Sequence, residues 1–225
     1  MKAVRQSQLL QTLAQPRALC ATLVILMLTG PLVAYLDEFS AQLMTHVAFA
    51  LVFLSGPVNA AKNDREWWLT TIFAASALLT GLFSPLLDEL VLVDSVLSAT
   101  FFAYLCYLTA RNLFRAETTV TDGTLWTAVN TYIIAGMFFA FLYNAVNAVL
   151  PHAFAGQFLQ SPVREGIDAF IYFSFATLTT VGYGDLTPNH VFVATLAYME
   201  ALFGQLYLAI LVARLVGLYS ASNKT

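Results

Sequence analysis

The chain has 225 residues, of which 59% are hydrophobic and only 10% charged. A soluble domain carries about 25% charged residues, so this composition excludes a protein that faces water on every side. The net charge of −3 says little about partners, because the charges are segregated along the chain; no nucleic acid partner is expected.

Apolar runs follow one another at 18–36, 39–61 and 67–87. A fourth at 90–110 is broken only by Asp94, and two more cover 124–150 and 189–217, the last holding Glu200 and Arg214. About 20 helical residues cross a hydrocarbon core, and each run is that long. The pattern predicts an all-α membrane protein with six transmembrane helices. With the N-terminus inside, six crossings put Lys2, Arg5, Arg17, Lys62, Arg65, Arg111, Arg115, Arg214 and Lys224 on the cytoplasmic side. Only Arg164 falls outside, so the positive-inside rule supports this count, with both termini cytoplasmic. The first run also resembles the apolar part of a cleaved signal peptide, but it is long for one, and cleavage would leave five spans and weaken the charge pattern. Cys20 and Cys106 lie within spans and read as small apolar packing residues.

Helices one to four (1–110) are joined by a polar linker, 111–123, to a second unit, 124–225. Thr121 or Asp122 is placed to N-cap the fifth helix. Between helices five and six lies an insert of about 40 residues, containing "GIDAFIYFSFATLTT" at 166–180. Ser161–Pro162 offers a helix start, and the apolar stretch is too short to cross a bilayer. It runs into "TLTTVGYGDLTP", 177–188, with no charge before Asp185. Non-helical backbone at membrane depth is tolerated where it is buried in protein or lines a water-filled path. A helix that enters halfway and an extended return satisfy that rule.

The run "TTVGYGD" resembles the selectivity filter of the potassium channel superfamily, and its setting of outer helix, short pore helix, filter and inner helix is similar too. The resemblance covers 124–217 closely; the six-helix layout resembles voltage-gated-type channels in outline. It implies that carbonyls of Thr180, Val181, Gly182 and Tyr183, with the Thr180 hydroxyl, form K⁺ sites ahead of Gly184. Successive carbonyls of an extended strand alternate in direction, so aiming them along one axis needs φ > 0 at alternate residues, which Gly182 and Gly184 permit. One chain holds one such strand, and caging an ion on all sides needs four. A homotetramer in membrane lipid is expected, with K⁺ as the permeant ion and no cofactor.

The inner helix contributes the rest of the pathway. Gly204 stands where the family commonly has a hinge, and close helix packing is an equal reading. Gln205, Leu208, Val212 and Val216 share one face and are candidates for cavity and gate. Arg214 reads as a snorkelling anchor. Glu200, an acid inside a span, is expected to support the filter by bonding to the pore helix, with a proton-linked role as the second reading. Asp94 lies one turn from an outer end, where it can reach water. Some family members carry a pore-helix Glu where this chain has Ala176, so Asp185 needs another donor. Tyr172, one turn earlier on the same face, is the expected one.

Other classes fit less well. A transporter subunit would resemble four linked pore repeats, and this chain has one. A regulatory subunit co-assembling with other pore chains is the remaining alternative. No enzyme is expected, since His46, His152 and His190 have neither a paired nucleophile nor metal-ligand spacing. The lack of cytoplasmic modules resembles compact channels of prokaryotic plasma membranes.

A voltage sensor needs several basic residues in the fourth helix, each supplying about 2.3 kcal/mol per 100 mV. Residues 90–110 contain none, and Arg111 and Arg115 beyond them read as ordinary anchors. Currents should therefore depend only weakly on voltage; a steep activation curve recorded across planar bilayers would contradict this.

Overall fold

The computed structural model describes residues 12, 14–33, 35–36, 38–83, 90–115, 121–156 and 167–222. In chain order these form α1 (Pro16–Val33), α2 (Glu38–Ala60), α3 (Asp64–Phe83), α4 (Leu90–Arg115) and α5 (Asp122–Val149). Then follow β1 (Phe154–Gly156), α6 (Ile167–Leu178), β2 (Leu186–Pro188) and α7 (Val191–Ser222). Among the described residues, helices α2, α3, α4, α5 and α7 are long and apolar enough to cross a membrane, which makes five, whereas six spans are expected from the sequence. The qualifying apolar stretch of α1, Pro16–Gly30, is shorter, so length alone does not make it a span. The expected Ser161–Pro162 helix start lies outside the described residues.

Local chemistry explains most boundaries. Pro16 opens α1, where a missing amide costs nothing. Asn63 caps α3 by accepting the Glu66 amide at 2.9 Å. Thr121, not Asp122, caps α5: its hydroxyl accepts the Thr124 amide while the Thr124 hydroxyl takes the Thr121 amide, a capping box. Helix α4 continues to Arg115, so the first residues expected in the linker are helical.

The main core lies where α4 meets α5, the most extensive helix pair. Phe101, Phe102, Leu105 and Leu108 of α4 bury against Ile134, Met137 and Phe141 of α5 and Val52 and Phe53 of α2. Aromatic edges set the spacing: Phe53 meets Phe101 at 4.7 Å edge-on, and Phe102 stacks on Phe141 at 5.5 Å. Helix α1 also packs on α5, so α5 is flanked by both α4 and α1. In an apolar setting polar links are specific, and Asn144 Nδ2 donates to Ser95 Oγ at 2.7 Å, joining α5 to α4.

Two readings of single charges change. Arg111 is no free anchor: its guanidinium meets Glu66 Oε1 at 2.5 Å, with the side chains 18% and 10% exposed. Glu66 Oε2 also accepts the Lys62 amide at 2.9 Å, so the pair ties the α2–α3 turn to the end of α4. Asp94 does not simply reach into water: it accepts from Thr80 Oγ1 at 2.9 Å and so bridges α3 and α4.

Both Glu66 and Arg111 are mostly out of water, so removing one strands the other. Glu66→Ala should lower the stability of the detergent-solubilised protein by roughly 1–3 kcal/mol, the cost of an unpaired buried polar group. Adding Arg111→Met to that background should cost little more. Thermal melts of the two variants check this coupling.

Candidate functional site

The site begins where α6 stops. A helix end leaves carbonyls without partners, and here the next four amides supply them. Thr179 N–H donates to Phe175 O at 3.0 Å and Thr180 N–H to Thr177 O at 2.9 Å. Val181 and Gly182 N–H both donate to Ala176 O, at 2.9 and 3.1 Å. With their amides turned back to the helix, these residues leave their carbonyls for something else. Among the described residues, no hydrogen bond reaches the carbonyl oxygens of 180–183.

The backbone then alternates in hand. Thr180 has φ 59°, Gly182 φ 54° and Gly184 φ 81°, while Val181 and Tyr183 keep negative φ. A helix often ends on a left-handed glycine; a threonine doing so at Thr180 carries backbone strain. Alternation of sign is what brings successive carbonyls to one side of a strand.

Behind this segment, Val181 and Tyr183 line a cavity of about 510 Å³ with Tyr172, Ala176 and Thr179 of the α6 region and Met27 of α1. Tyr183 stacks on Tyr172 with ring planes 6° apart. The Tyr172 hydroxyl donates to Asp185 Oδ2 at 2.6 Å, and Asp185 Oδ1 accepts the Leu186 amide at 3.1 Å. The phenol thus spans the gap that Ala176 cannot. In the single chain Tyr183 is 74% exposed, an unusual position for a large ring beside an apolar wall.

Beyond Asp185 the segment is clamped by strands too short to be legible in the sequence. β2 pairs antiparallel with β1, Gly156 facing Leu186, and Asn189 N–H donates to Ala153 O at 2.8 Å. Gly156 has φ 152°, and a Cβ there would stand 2.1 Å from Asp185 O, so only glycine fits.

On the inner flank α7 crosses the end of α6. A Cβ on Gly204 would lie 2.3 Å from Leu178 O, so the glycine admits a close backbone approach. Tyr132 of α5 donates to the same carbonyl at 3.1 Å. Glu200, one turn before, is fully buried, with Tyr143 Oη 2.6 Å from Oε2 and Ser174 Oγ 2.5 Å from Oε1. Tyr143, Ser174 and Gly136 were not singled out by sequence reasoning, although the first two are polar residues in apolar helices. Gln205 Nε2 reaches Thr180 Oγ1 at 3.4 Å, while Leu208, Val212 and Val216 are exposed along α7. Arg214 lies over the Phe114 ring at 5.1 Å, tied to α4 and not simply snorkelling.

Residues 127–221 match the family model described as an ion channel. They include the ends of α6 and α7 and the segment between them that carry this site. Over 79 residues the chain is 38% identical to the inward rectifier potassium channel Kirbac3.1 of Paramagnetospirillum magnetotacticum. That stretch is 35% of this chain and 24% of the relative, so the chain spans about a quarter of the relative's length. No solved structure matches the chain.

Replacing Gly204 by Ala puts a methyl against a carbonyl that cannot rotate away. The variant should lose roughly 1–3 kcal/mol of stability, as overpacking does, read as a lowered thermal midpoint. A midpoint equal to that of the unaltered protein would contradict the close crossing.

Proposed function

We propose that the protein is a K⁺-selective channel that conducts passively as a homotetramer. The observation that carries this reading is the alternation of backbone hand through Thr180-Val181-Gly182-Tyr183-Gly184, with the amides spent on α6 and the carbonyls unbonded. Four such strands around an axis would surround an ion with carbonyl oxygens of Thr180, Val181, Gly182 and Tyr183 and with the Thr180 hydroxyl, replacing its water shell. The name of the bacterial relative points the same way.

Under this reading α5 is the outer helix, α6 the pore helix and α7 the inner helix. Closed cyclic symmetry would cover the exposed faces of Val181 and Tyr183 with the neighbouring copy. The C-terminal end of α6 directs partial negative charge toward the cavity, which favours a cation. Gln205 stands below the filter, and the exposed apolar side chains of Leu208, Val212 and Val216 form an inner constriction able to gate by dewetting. Asp185 and Tyr172 brace the filter from behind. Helix α1 completes six spans, with both termini on the cytoplasmic side of a prokaryotic inner membrane. Without basic residues in 90–110, the first four helices serve as a scaffold and not as a voltage sensor.

Proteoliposomes containing only this chain test the reading. Potassium efflux should exceed sodium efflux by orders of magnitude, and comparable rates would overturn the assignment. In Gly182→Ala selectivity or flux should be lost. A Cβ there meets no atom of its own chain within 4 Å, so the obstacle is the φ of 54°.

A further inference from the structure

Glu200 is wholly buried, as is Ser174, and the hydrogen bonds around them do not add up for an ionised carboxylate. Tyr143 donates its hydroxyl hydrogen to Glu200 Oε2 at 2.6 Å. Ser174 Oγ sits 2.7 Å from Gly136 O and 2.5 Å from Glu200 Oε1. A carbonyl oxygen can only accept, so the Ser174 hydrogen is what joins Oγ to Gly136 O, and a hydroxyl has no second one. The contact of Oγ with Oε1 then needs a hydrogen from the carboxyl itself.

The surroundings agree. From α5 the titratable groups on this side are Tyr143 and, further along, Tyr132, and from α6 the facing group is Ser174. Asp168 stands against Gly30, and Asp185 is held by Tyr172. Among the described residues the two ion pairs are Arg17–Asp122 and Arg111–Glu66, neither involving Glu200. An isolated buried carboxylate with no positive partner is costly, whereas a neutral acid with every hydrogen placed is not.

We propose that Glu200 is a neutral carboxylic acid that donates to Ser174 Oγ. This closes a directed chain across three helices: Tyr143 to Glu200, Glu200 to Ser174, and Ser174 to the Gly136 carbonyl. The acid is a positioning residue. It fixes α7 to α6 one turn before Leu178, where the ion-binding segment departs, so the inner helix cannot shift without disturbing that segment. The consequence for conduction rests on the channel reading above; the protonation does not.

Infrared spectroscopy of the purified protein at neutral pH tests the protonation. A protonated-carboxyl C=O stretch should be present in the unaltered protein and absent in Glu200→Gln, and should shift in Ser174→Ala. No band removed by Glu200→Gln would overturn the proposal. Flux tests the positioning. A glutamine amide can donate to Ser174 and accept from Tyr143, so Glu200→Gln should keep the preference for K⁺ over Na⁺. Glu200→Ala, which breaks both bonds, should lower that preference by about tenfold or more, as hydrogen bonds of ordinary strength imply. Glutamine behaving like alanine would overturn the positioning role. If the unaltered protein passes no K⁺, the channel reading fails while the infrared result still decides the state of Glu200.

Discussion

Backbone polarity in an apolar setting is the constraint on which this structure depends. Water is scarce at membrane depth, so every amide and carbonyl needs a partner within the protein or along a wet path. Four consecutive amides, from Thr179 to Gly182, meet that demand by turning back onto the end of α6. Their carbonyls are thereby turned away together. The same economy that ends the helix also builds a row of oxygens, and the strained threonine at Thr180 is its cost.

A row of oxygens is useful only if its spacing holds, and the rest of the fold supplies support from three sides. Behind it, Tyr172 spans to Asp185. Beyond it, β1 pairs with β2. Beneath it, α7 presses Gly204 onto the Leu178 carbonyl, and α5 offers Gly136 as the seat for the Phe175 ring. Small residues recur where backbones must approach, because lipid gives apolar side chains no reason to prefer each other and close contact decides helix association. Of the first four helices, α1 reaches the back of this segment through Met27. Helix α4 stiffens α5 through Phe102 and Phe141.

What could be read in the sequence followed from strong local chemistry. The long apolar runs gave the long helices, although α1 falls short of the length expected of it. The glycines at 182 and 184 announced left-handed backbone, and the missing carboxylate at Ala176 pointed to Tyr172 as the donor to Asp185. What escaped depends on residues far apart in the chain. Glu66 and Arg111 are 45 positions apart, so Arg111 looked like an interfacial anchor. Tyr143 and Ser174 lie in otherwise apolar helices, and nothing local marks them as partners of Glu200. Gly156 carries no signal of its own, because its reason is the Asp185 carbonyl on another segment.

The pairing of Gly156 with Leu186 has an entropic meaning as well. It closes a loop of 30 residues, for which a free chain would lose about 3 kcal/mol of entropy beyond a constant term. A strand pair of three residues on each side cannot recover that alone. With α6 already seated between α5 and α7, most of that freedom is gone and the strands need only meet. The strand pair therefore leans on the docked helix, and holds only as a seal on an assembly already in place.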